Sequence, residues 1–212
     1  MTNPLQTAAN ASWNTWVLAS HNQGKLREFD ALLAPLSIHI KSAGELGLPE
    51  PEETGHSFEA NAILKADAAC LASGLPALAD DSGIVVPALD GAPGIYSARW
   101  GGANKDFTFA MHRVIAELDE RNIEVEGTKA FFVCVLAVAR PHHPLQHFRG
   151  ECHGTLTRTL RGTLGHGYDP FFIPEGFTTT FGEMGAENKN TLSHRAKAFA
   201  LFEAWFKQQQ MS

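Results

Sequence analysis

Cysteine is scarce in this sequence. Only three cysteines occur among 212 residues, at Cys70, Cys134 and Cys152, and none of them has the paired spacing of a zinc-binding motif. Cysteines that are few and far apart indicate free, structural thiols rather than a disulfide framework. The sequence therefore predicts a protein of the reducing cytoplasm.

Long apolar runs and a surplus of basic residues are also missing. The longest apolar run, residues 130–139, is shorter than the roughly 20 residues that cross a bilayer, and it predicts a buried central strand. A formal net charge of -6 excludes a protein that coats nucleic acid. Residues 1–14 have neither a basic start nor an apolar run, so we expect a loose tail there and a single domain over residues 15–209.

A P-loop is absent as well, because the polar loop after the apolar run 16–19 lacks the Walker A spacing. This loop contains Ser20, His21, Asn22, Gln23, Gly24 and Lys25. Apolar residues at helical spacing follow it, which predicts a strand, a loop and a helix. Such an order directs backbone NH groups and a lysine at an anion. A strand-to-helix turn with a solvated lysine would have the same pattern.

The most informative feature that is present is Asp80-Asp81-Ser82-Gly83, at the end of the apolar run 75–79. Adjacent carboxylates repel each other at neutral pH, and a hard divalent cation with oxygen ligands would offset their charge. A tight turn is the alternative, because turns favour Asp, Ser and Gly. From this tetrapeptide alone, the two interpretations have equal weight.

The helix predicted over residues 57–73 carries Asn61 and Lys65 on a polar stripe beside an apolar stripe that packs. A solvated surface is the other interpretation of the polar stripe, and it suits Lys65 better than Asn61. Glu52 and Glu53 precede this helix. They either stabilise its N-terminus through the helix dipole or supply a second acid for a metal ion.

Two later polar clusters are candidates for binding. The first contains His166, Gly167, Tyr168 and Asp169. Glycine allows close approach of the backbone to a ligand, and an aromatic ring covers a flat group such as a nucleobase. The second contains Lys189, His194 and Arg195. It lies just before and inside the first turn of a predicted final helix, where free NH groups favour anions.

The remaining elements follow from hydrophobic spacing and turn signals. Strands are expected near residues 16–20, 37–41, 77–80, 84–88, 128–140 and 145–154. Helices are expected near residues 25–33, 57–73, 105–120 and 190–207. Long strands joined by proline-rich turns indicate antiparallel pairs within a mixed sheet.

Taken in order, these segments resemble the inosine triphosphate pyrophosphatase (Ham1-like) family, and most of all its bacterial dITP/XTP pyrophosphatase members. The likeness covers residues 16–205 and rests on residues 20–28, 53–55, 61–66, 79–83, 91–100, 165–172 and 193–195. Two positions depart from the family pattern. Members commonly carry an acid directly before the Asn, whereas Glu59 lies two residues before Asn61, and they often carry an aromatic residue in place of His166.

The resemblance implies an α/β fold, with an elongated mixed sheet flanked by helices and two lobes around a central cleft. It implies hydrolysis of the non-standard purine nucleoside triphosphates ITP, dITP and XTP to a nucleoside monophosphate and pyrophosphate, which cleanses the nucleotide pool. The implied metal is Mg²⁺ on Asp81 and Glu53, with Asp81 as the proton acceptor, and the implied assembly is a homodimer without nucleic-acid or membrane partners. The implied substrate-binding residues are Ser20, His21, Asn22, Gln23, Gly24, Lys25, Ser82, His166, Gly167, Tyr168, Asp169, Lys189, His194 and Arg195.

Base selection requires a group that distinguishes a 6-keto purine from adenine. A hydrogen-bond donor directed at position 6 binds the O6 of hypoxanthine or xanthine, but in adenine it meets an amino group, which is itself a donor. His194 and Arg195 are the best candidates for this donor. Two alternatives stay open. One is a Maf-type pyrophosphatase acting on other bases, and the other is a purine-nucleotide sensor without catalysis.

Overall fold

The structure, a computed structural model, describes residues 14–20 and 23–211. Six strands form one sheet in the order β2-β1-β3-β4-β5-β6. The strands are β1 (Thr15–Leu18), β2 (His39–Ser42), β3 (Ala77–Val85), β4 (Lys129–Ala139), β5 (Gln146–Leu156) and β6 (Phe172–Pro174). The helices are α1 (Gln23–Leu33), α2 (Phe58–Ser73), α3 (Phe107–Glu120), α4 (Ala186–Leu192) and α5 (His194–Gln210).

The sheet is mixed, as predicted. β1 pairs in parallel with β2 on one side and with β3 on the other, whereas β5 and β6 are antiparallel. The predicted α/β class with helices around a mixed sheet is confirmed.

The chain divides into two compact units. The first contains the described residues up to Asp81 together with Val135–Phe148 and the chain from Phe202 onward, and the second contains Ser82–Cys134 and Arg149–Leu201. Strands β3, β4 and β5 each contribute residues to both units.

Aromatic packing holds the end of the chain onto the first unit. The Trp16 ring lies edge-on to Phe202 at 5.9 Å and to Phe206 at 5.8 Å, and all three side chains are buried. Residues four positions apart on α5 share a face, so this one face covers β1.

A separate hydrophobic core fills the second unit. Phe132 of β4 contacts Phe172 of β6 at 4.8 Å between ring centroids, and Phe181 packs on the same cluster. Helix α3 adds Ala110, Met111, Val114 and Leu118 to the buried set. This helix agrees with the one predicted near residues 105–120.

Three sequence-based expectations about the elements are wrong. Residues 77–80 and 84–88 are not separate strands, because β3 runs without interruption through Asp80-Asp81-Ser82-Gly83. The turn interpretation of this tetrapeptide therefore fails, because its four residues belong to β3, the strand between β1 and β4 in the sheet. The short strand β6 was not expected at all.

The predicted final helix over 190–207 is the third error. The backbone is extended at Ser193, with ψ 154°, so α4 ends there and α5 begins at the next residue. The Ser193 hydroxyl accepts a hydrogen bond from the Ala196 NH at 3.1 Å. Serine thus acts as the N-cap of α5, a role in which it satisfies a free NH of the first turn.

No helix among residues 14–20 and 23–211 combines the length and the apolarity needed to cross a membrane.

Candidate active site

The first unit brings polar side chains to a switch point of its parallel strands. The chain leaves β1 for β2 on one side and then crosses to β3 on the other. Open α/β sheets bind ligands beyond the carboxyl ends of the strands at such a point. β1 pairs with β3 as far as Leu18 and Leu78, so Asp80 and Asp81 lie just beyond the end of β1.

The two adjacent acids of β3 contact different lysines. Asp80 accepts hydrogen bonds from the Lys25 Nζ at 2.8 and 2.9 Å, and Asp81 accepts one from the Lys65 Nζ at 3.2 Å. Successive side chains of a strand point to opposite faces. Each carboxylate is therefore matched by a lysine of its own, Lys25 from α1 and Lys65 from α2, and a metal ion is not needed merely to separate the two acids.

Lys65 joins two carboxylates. Its Nζ lies 2.7 Å from Glu53 Oε1 and 3.2 Å from Asp81 Oδ1, and the residue is only 7% exposed. Burial lowers the pKa of Lys65, but the negative charges of Asp81, Asp80 and Glu53 outweigh it and raise the pKa above its ordinary value. The solvated-surface interpretation of Lys65 is wrong.

Asn61 lies one helical turn before Lys65 and is 1% exposed. Both residues belong to the buried face of α2, together with Phe58, Ala62, Ala66 and Ala69. The predicted polar and apolar stripes are thus both buried, and the alternative interpretation of the polar stripe as a solvated surface is wrong. The polar residues face the protein because they bind Asp81 and the segment before the helix.

The carboxyl group of Asp81 has an altered acidity. Burial raises the pKa of Asp81 to about 6, Lys65 acts against this rise, and the charges of Glu53 and Asp80 add to it. A carboxylate with this pKa is ionised at neutral pH and is a stronger base than an ordinary aspartate.

Glu53 and Asp81 offer hard oxygen donors for a metal ion. Within the part of the chain that the structure describes, no group of three or more His, Cys, Asp or Glu side chains is arranged to hold a metal. Two carboxylates suit Mg²⁺, which binds proteins through one or two carboxylates and takes water and substrate phosphates as its other ligands. Glu52, the other acid considered before α2, is exposed.

In the second unit, a third lysine contacts a buried aspartate. Asp169 Oδ2 accepts a hydrogen bond from the His166 NH at 2.6 Å and contacts the Lys189 Nζ. Gly165 makes this possible, because its φ is +79° and a Cβ there would overlap Asp169 Oδ2. The close approach at Gly165 is to a side chain of the protein, and close approach of this segment to a ligand stays a prediction.

Tyr168 and His194, which were predicted to contact a nucleobase, both lie inside the second unit. The Tyr168 hydroxyl donates to the Ser97 carbonyl at 2.9 Å, and burial raises the pKa of this phenol. The His194 ring stacks on Phe132 at 4.8 Å with an interplanar angle of 12°. Both residues are buried, and their contacts with a base stay predictions.

The other predicted site residues have these positions. His21 and Asn22 lie outside the described residues, and Gln23 and Gly24 begin α1. Ser20 follows β1, Ser82 is half-buried in β3, Gly167 has a positive φ of 70° beside the exposed His166, and Arg195 is half-buried in the first turn of α5.

Sequence reasoning assigned no role to Asn61 and left the role of Lys65 open. Their spacing of four residues was the available signal, because it places both on one face of α2. That the face is buried follows only from the packing of the helix.

Comparison with known proteins decides the family. Residues 16–205 match the Ham1 family. The chain belongs to the Ham1 family. A relative from Gluconobacter oxydans, named a dITP/XTP pyrophosphatase, is 55% identical over 186 residues, which cover 88% of each chain. A relative of the same name from Rhodospirillum centenum is 55% identical over 199 residues, covering 94% of this chain and 96% of the relative.

Solved structures of Ham1 proteins have the same fold. The HAM1 protein from Coxiella burnetii superimposes with a TM-score of 0.85 at 36% identity, over 92% of this chain and 98% of that one. The Ham1 protein from Staphylococcus aureus superimposes with a TM-score of 0.83 at 35% identity, over 92% of this chain and 99% of that one. The resemblance inferred from the sequence motifs is confirmed for the family and the fold.

Proposed function

We propose that this protein hydrolyses dITP, ITP and XTP to the nucleoside monophosphate and pyrophosphate, and so removes these non-standard purine nucleotides from the pool. The names of its relatives support this substrate class. The observation that carries the proposal is the convergence of Glu53 and Asp81 on the Lys65 ammonium, at 2.7 and 3.2 Å, in a member of this family.

Asp81 is the proton acceptor in this proposal. A water oxygen attacks the α-phosphorus, the bond from that phosphorus to the bridging oxygen breaks, and pyrophosphate leaves with the bond's electron pair. The proton of the water passes to an oxygen of Asp81. In the protein without a metal ion, burial raises the pKa of Asp81 to about 6, so the carboxylate is ionised at pH 7 and is able to accept a proton.

Glu53 and Asp81 would together hold Mg²⁺. Bound there, the ion would neutralise charge on the triphosphate and on the departing pyrophosphate. The Lys65 ammonium contacts both carboxylates, so it limits their repulsion and keeps their oxygens on one side of α2.

Lys25 is assigned to the phosphates. It lies in the first turn of α1 at the end of β1, a position where backbone NH groups and a lysine favour an anion. In the structure its Nζ is held by Asp80, so a phosphate oxygen exchanges one anionic partner for another. Ser20, Gly24 and Ser82 would add neutral hydrogen bonds.

Three residues of the second unit are assigned to the substrate because their side chains can donate hydrogen bonds. Lys189 is held on Asp169 and would donate to a phosphate oxygen. His194 and Arg195 would donate to the purine O6, which adenine lacks. A site that pairs a substrate's polar group can discriminate by about four to five decades. We also propose that the protein is a homodimer and that it is located in the cytoplasm.

A panel of nucleotides tests the function. The protein with Mg²⁺ is incubated with ITP, XTP, dITP, ATP, GTP and dTTP, and pyrophosphate is measured with and without a chelator. We expect rapid release from ITP, dITP and XTP that stops when the divalent ion is removed. A preference for dTTP would instead favour a Maf-type specificity, and no release from any nucleotide would favour a sensor.

A further inference from the structure

The amide of Asn61 links two parts of the candidate active site. Its Oδ1 accepts a hydrogen bond from the Gly55 NH at 2.8 Å. Its Nδ2 donates a longer one, 3.4 Å, to Asp81 Oδ2. Gly55 is two residues after Glu53, so one buried side chain contacts both the segment that carries Glu53 and the carboxylate of Asp81.

The orientation of this amide is fixed by its partners. A backbone NH can only donate, so the oxygen of the Asn61 amide must face Gly55 and the nitrogen must face Asp81. The contact with Gly55 is close, since a Cβ at that position would lie 2.5 Å from Asn61 Oδ1. A glycine is therefore required where the backbone meets Asn61.

Lys65 makes the corresponding link one turn later on α2. Its Nζ contacts Glu53 Oε1 and Asp81 Oδ1, whereas Asn61 contacts Asp81 Oδ2. The two oxygens of Asp81 thus have different partners, one a cation and one a neutral amide. Residues 51–55 lie outside the regular helices and strands, so contacts of this kind determine where Glu53 is held.

We propose that Asn61 is a positioning residue of the hydrolytic site. Its amide orients the Asp81 carboxylate through Oδ2 and holds the Glu53 segment at Gly55, so that the two carboxylates keep a fixed separation. Because the amide is neutral, it orients the Asp81 carboxylate without neutralising its negative charge. The inference rests on the proposed function, because that function assigns Asp81 the role of proton acceptor.

Two variants separate the two hydrogen bonds. Asn61→Leu has nearly the same size and removes both, whereas Asn61→Asp keeps an acceptor for the Gly55 NH and removes the donor to Asp81. Ser57→Ala is the matched control: the Ser57 hydroxyl caps α2 by accepting from the Ala60 NH at 3.1 Å, so its loss weakens the same helix without touching Asp81.

The first measurement is amide hydrogen exchange at Gly55 by NMR, on the protein without metal or nucleotide. We expect exchange at least about 10-fold faster than wild type in Asn61→Leu, because the acceptor is lost, and within about 3-fold of wild type in Asn61→Asp and Ser57→Ala. Unchanged protection in Asn61→Leu would overturn the proposal without any reference to catalysis.

The second measurement is steady-state kinetics with ITP. Both Asn61 variants should lose about 10- to 100-fold in kcat with KM within about 3-fold, because misplacement of a reacting group acts on the chemical step. Ser57→Ala should keep the wild-type kcat. Wild-type kcat in Asn61→Asp, or an equal loss in Ser57→Ala, would contradict the role of the Asp81 contact. If wild-type protein itself released no pyrophosphate, the proposed function would be wrong. The exchange data would still test whether Asn61 accepts the hydrogen bond of the Gly55 NH.

Discussion

Lys25 and Asp80 form a two-pronged ion pair, in which the Nζ of the lysine lies 2.8 and 2.9 Å from the two carboxylate oxygens. Asp80 is 2% exposed, and the lysine is partly exposed. A buried carboxylate depends strongly on such a partner. The same lysine is assigned to substrate phosphate, so its loss should affect both stability and nucleotide binding.

Lys25→Met should lower the free energy of unfolding by about 1–3 kcal/mol, the cost of removing a hydrogen-bond partner from a buried group. It should also raise KM for ITP by about 10-fold or more, since a charged hydrogen bond to phosphate is lost. Urea denaturation and initial rates measure the two effects. Adding Asp80→Asn to Lys25→Met should restore part of the stability and none of the affinity. Wild-type stability and KM in Lys25→Met would show that the pair has neither role.

The pH dependence of stability should reveal the altered acidity of Asp81. Its pKa is 3.8 ordinarily and about 6 in the folded protein, so the folded state binds more protons than the unfolded state between these pH values. The contribution of Asp81 to the free energy of unfolding is therefore complete below about pH 4 and is lost as the pH rises through 6. Two pKa units correspond to about 3 kcal/mol.

Asp81→Asn removes this titration. Without divalent ions, the stability of wild type relative to Asp81→Asn should be greater at pH 4.5 than at pH 7.5, by about 1–3 kcal/mol. Urea unfolding of both proteins at the two pH values measures the difference. The raised pKa of Lys65 does not interfere, because that group loses its proton only at strongly alkaline pH. A stability difference that is independent of pH would contradict the assigned pKa.

Lys65→Met tests the cation between Glu53 and Asp81. Breaking a buried ion pair by removing one partner leaves the other charges poorly compensated, and we expect a loss of about 3 kcal/mol in the free energy of unfolding at pH 7.5. Lys41→Met is the control, since Lys41 is exposed on β2 and its replacement should change stability by less than about 0.5 kcal/mol. The double variant Lys65→Met with Asp81→Asn should be more stable than Lys65→Met alone. Equal losses in Lys65→Met and Lys41→Met would refute the buried link.

Gly165 and Gly176 form a matched pair for the second unit. Both have positive φ, +79° and +85°, but a Cβ at Gly165 meets Asp169 whereas one at Gly176 has open space around it. Gly176→Ala should cost about 1 kcal/mol from backbone strain alone. Gly165→Ala should cost more and should disturb the contact between Asp169 and Lys189, which NMR of the lysine side chain can follow. Similar behaviour of the two variants would remove the steric argument for Gly165.

Much of the fold was accessible from the sequence, because the strands and most helices have local signals. The apolar run before Asp80 predicted the start of β3, but the acids themselves have low strand propensity. The strand nevertheless continues through them, beyond the residues that pair with β1, and no local pattern indicates this continuation. The break at Ser193 did have a local signal, since serine is a common N-cap. Strand β6, with three residues, is too short for a periodic pattern.

The sequence predicted the residues of the candidate site better than it predicted which of them contact one another. Asp81 and Glu53 were chosen as neighbours, and both contact Lys65. The pairing of Lys25 with Asp80 and of Lys65 with Asp81 depends on the opposite faces of β3 and on the placement of α1 and α2, which no local pattern specifies. Asn61 was interpreted as part of a polar stripe for the same reason: its burial results from the packing of α2.

Hydrolysis of ITP in ¹⁸O-labelled water, with Mg²⁺ present, shows which phosphorus atom the water attacks, and mass spectrometry of the products locates the label. Attack of water on the α-phosphorus predicts one labelled oxygen in inosine monophosphate and none in pyrophosphate, with the reaction nearly abolished in Asp81→Asn. Label in pyrophosphate, release of orthophosphate, or a wild-type rate in Asp81→Asn would contradict the account.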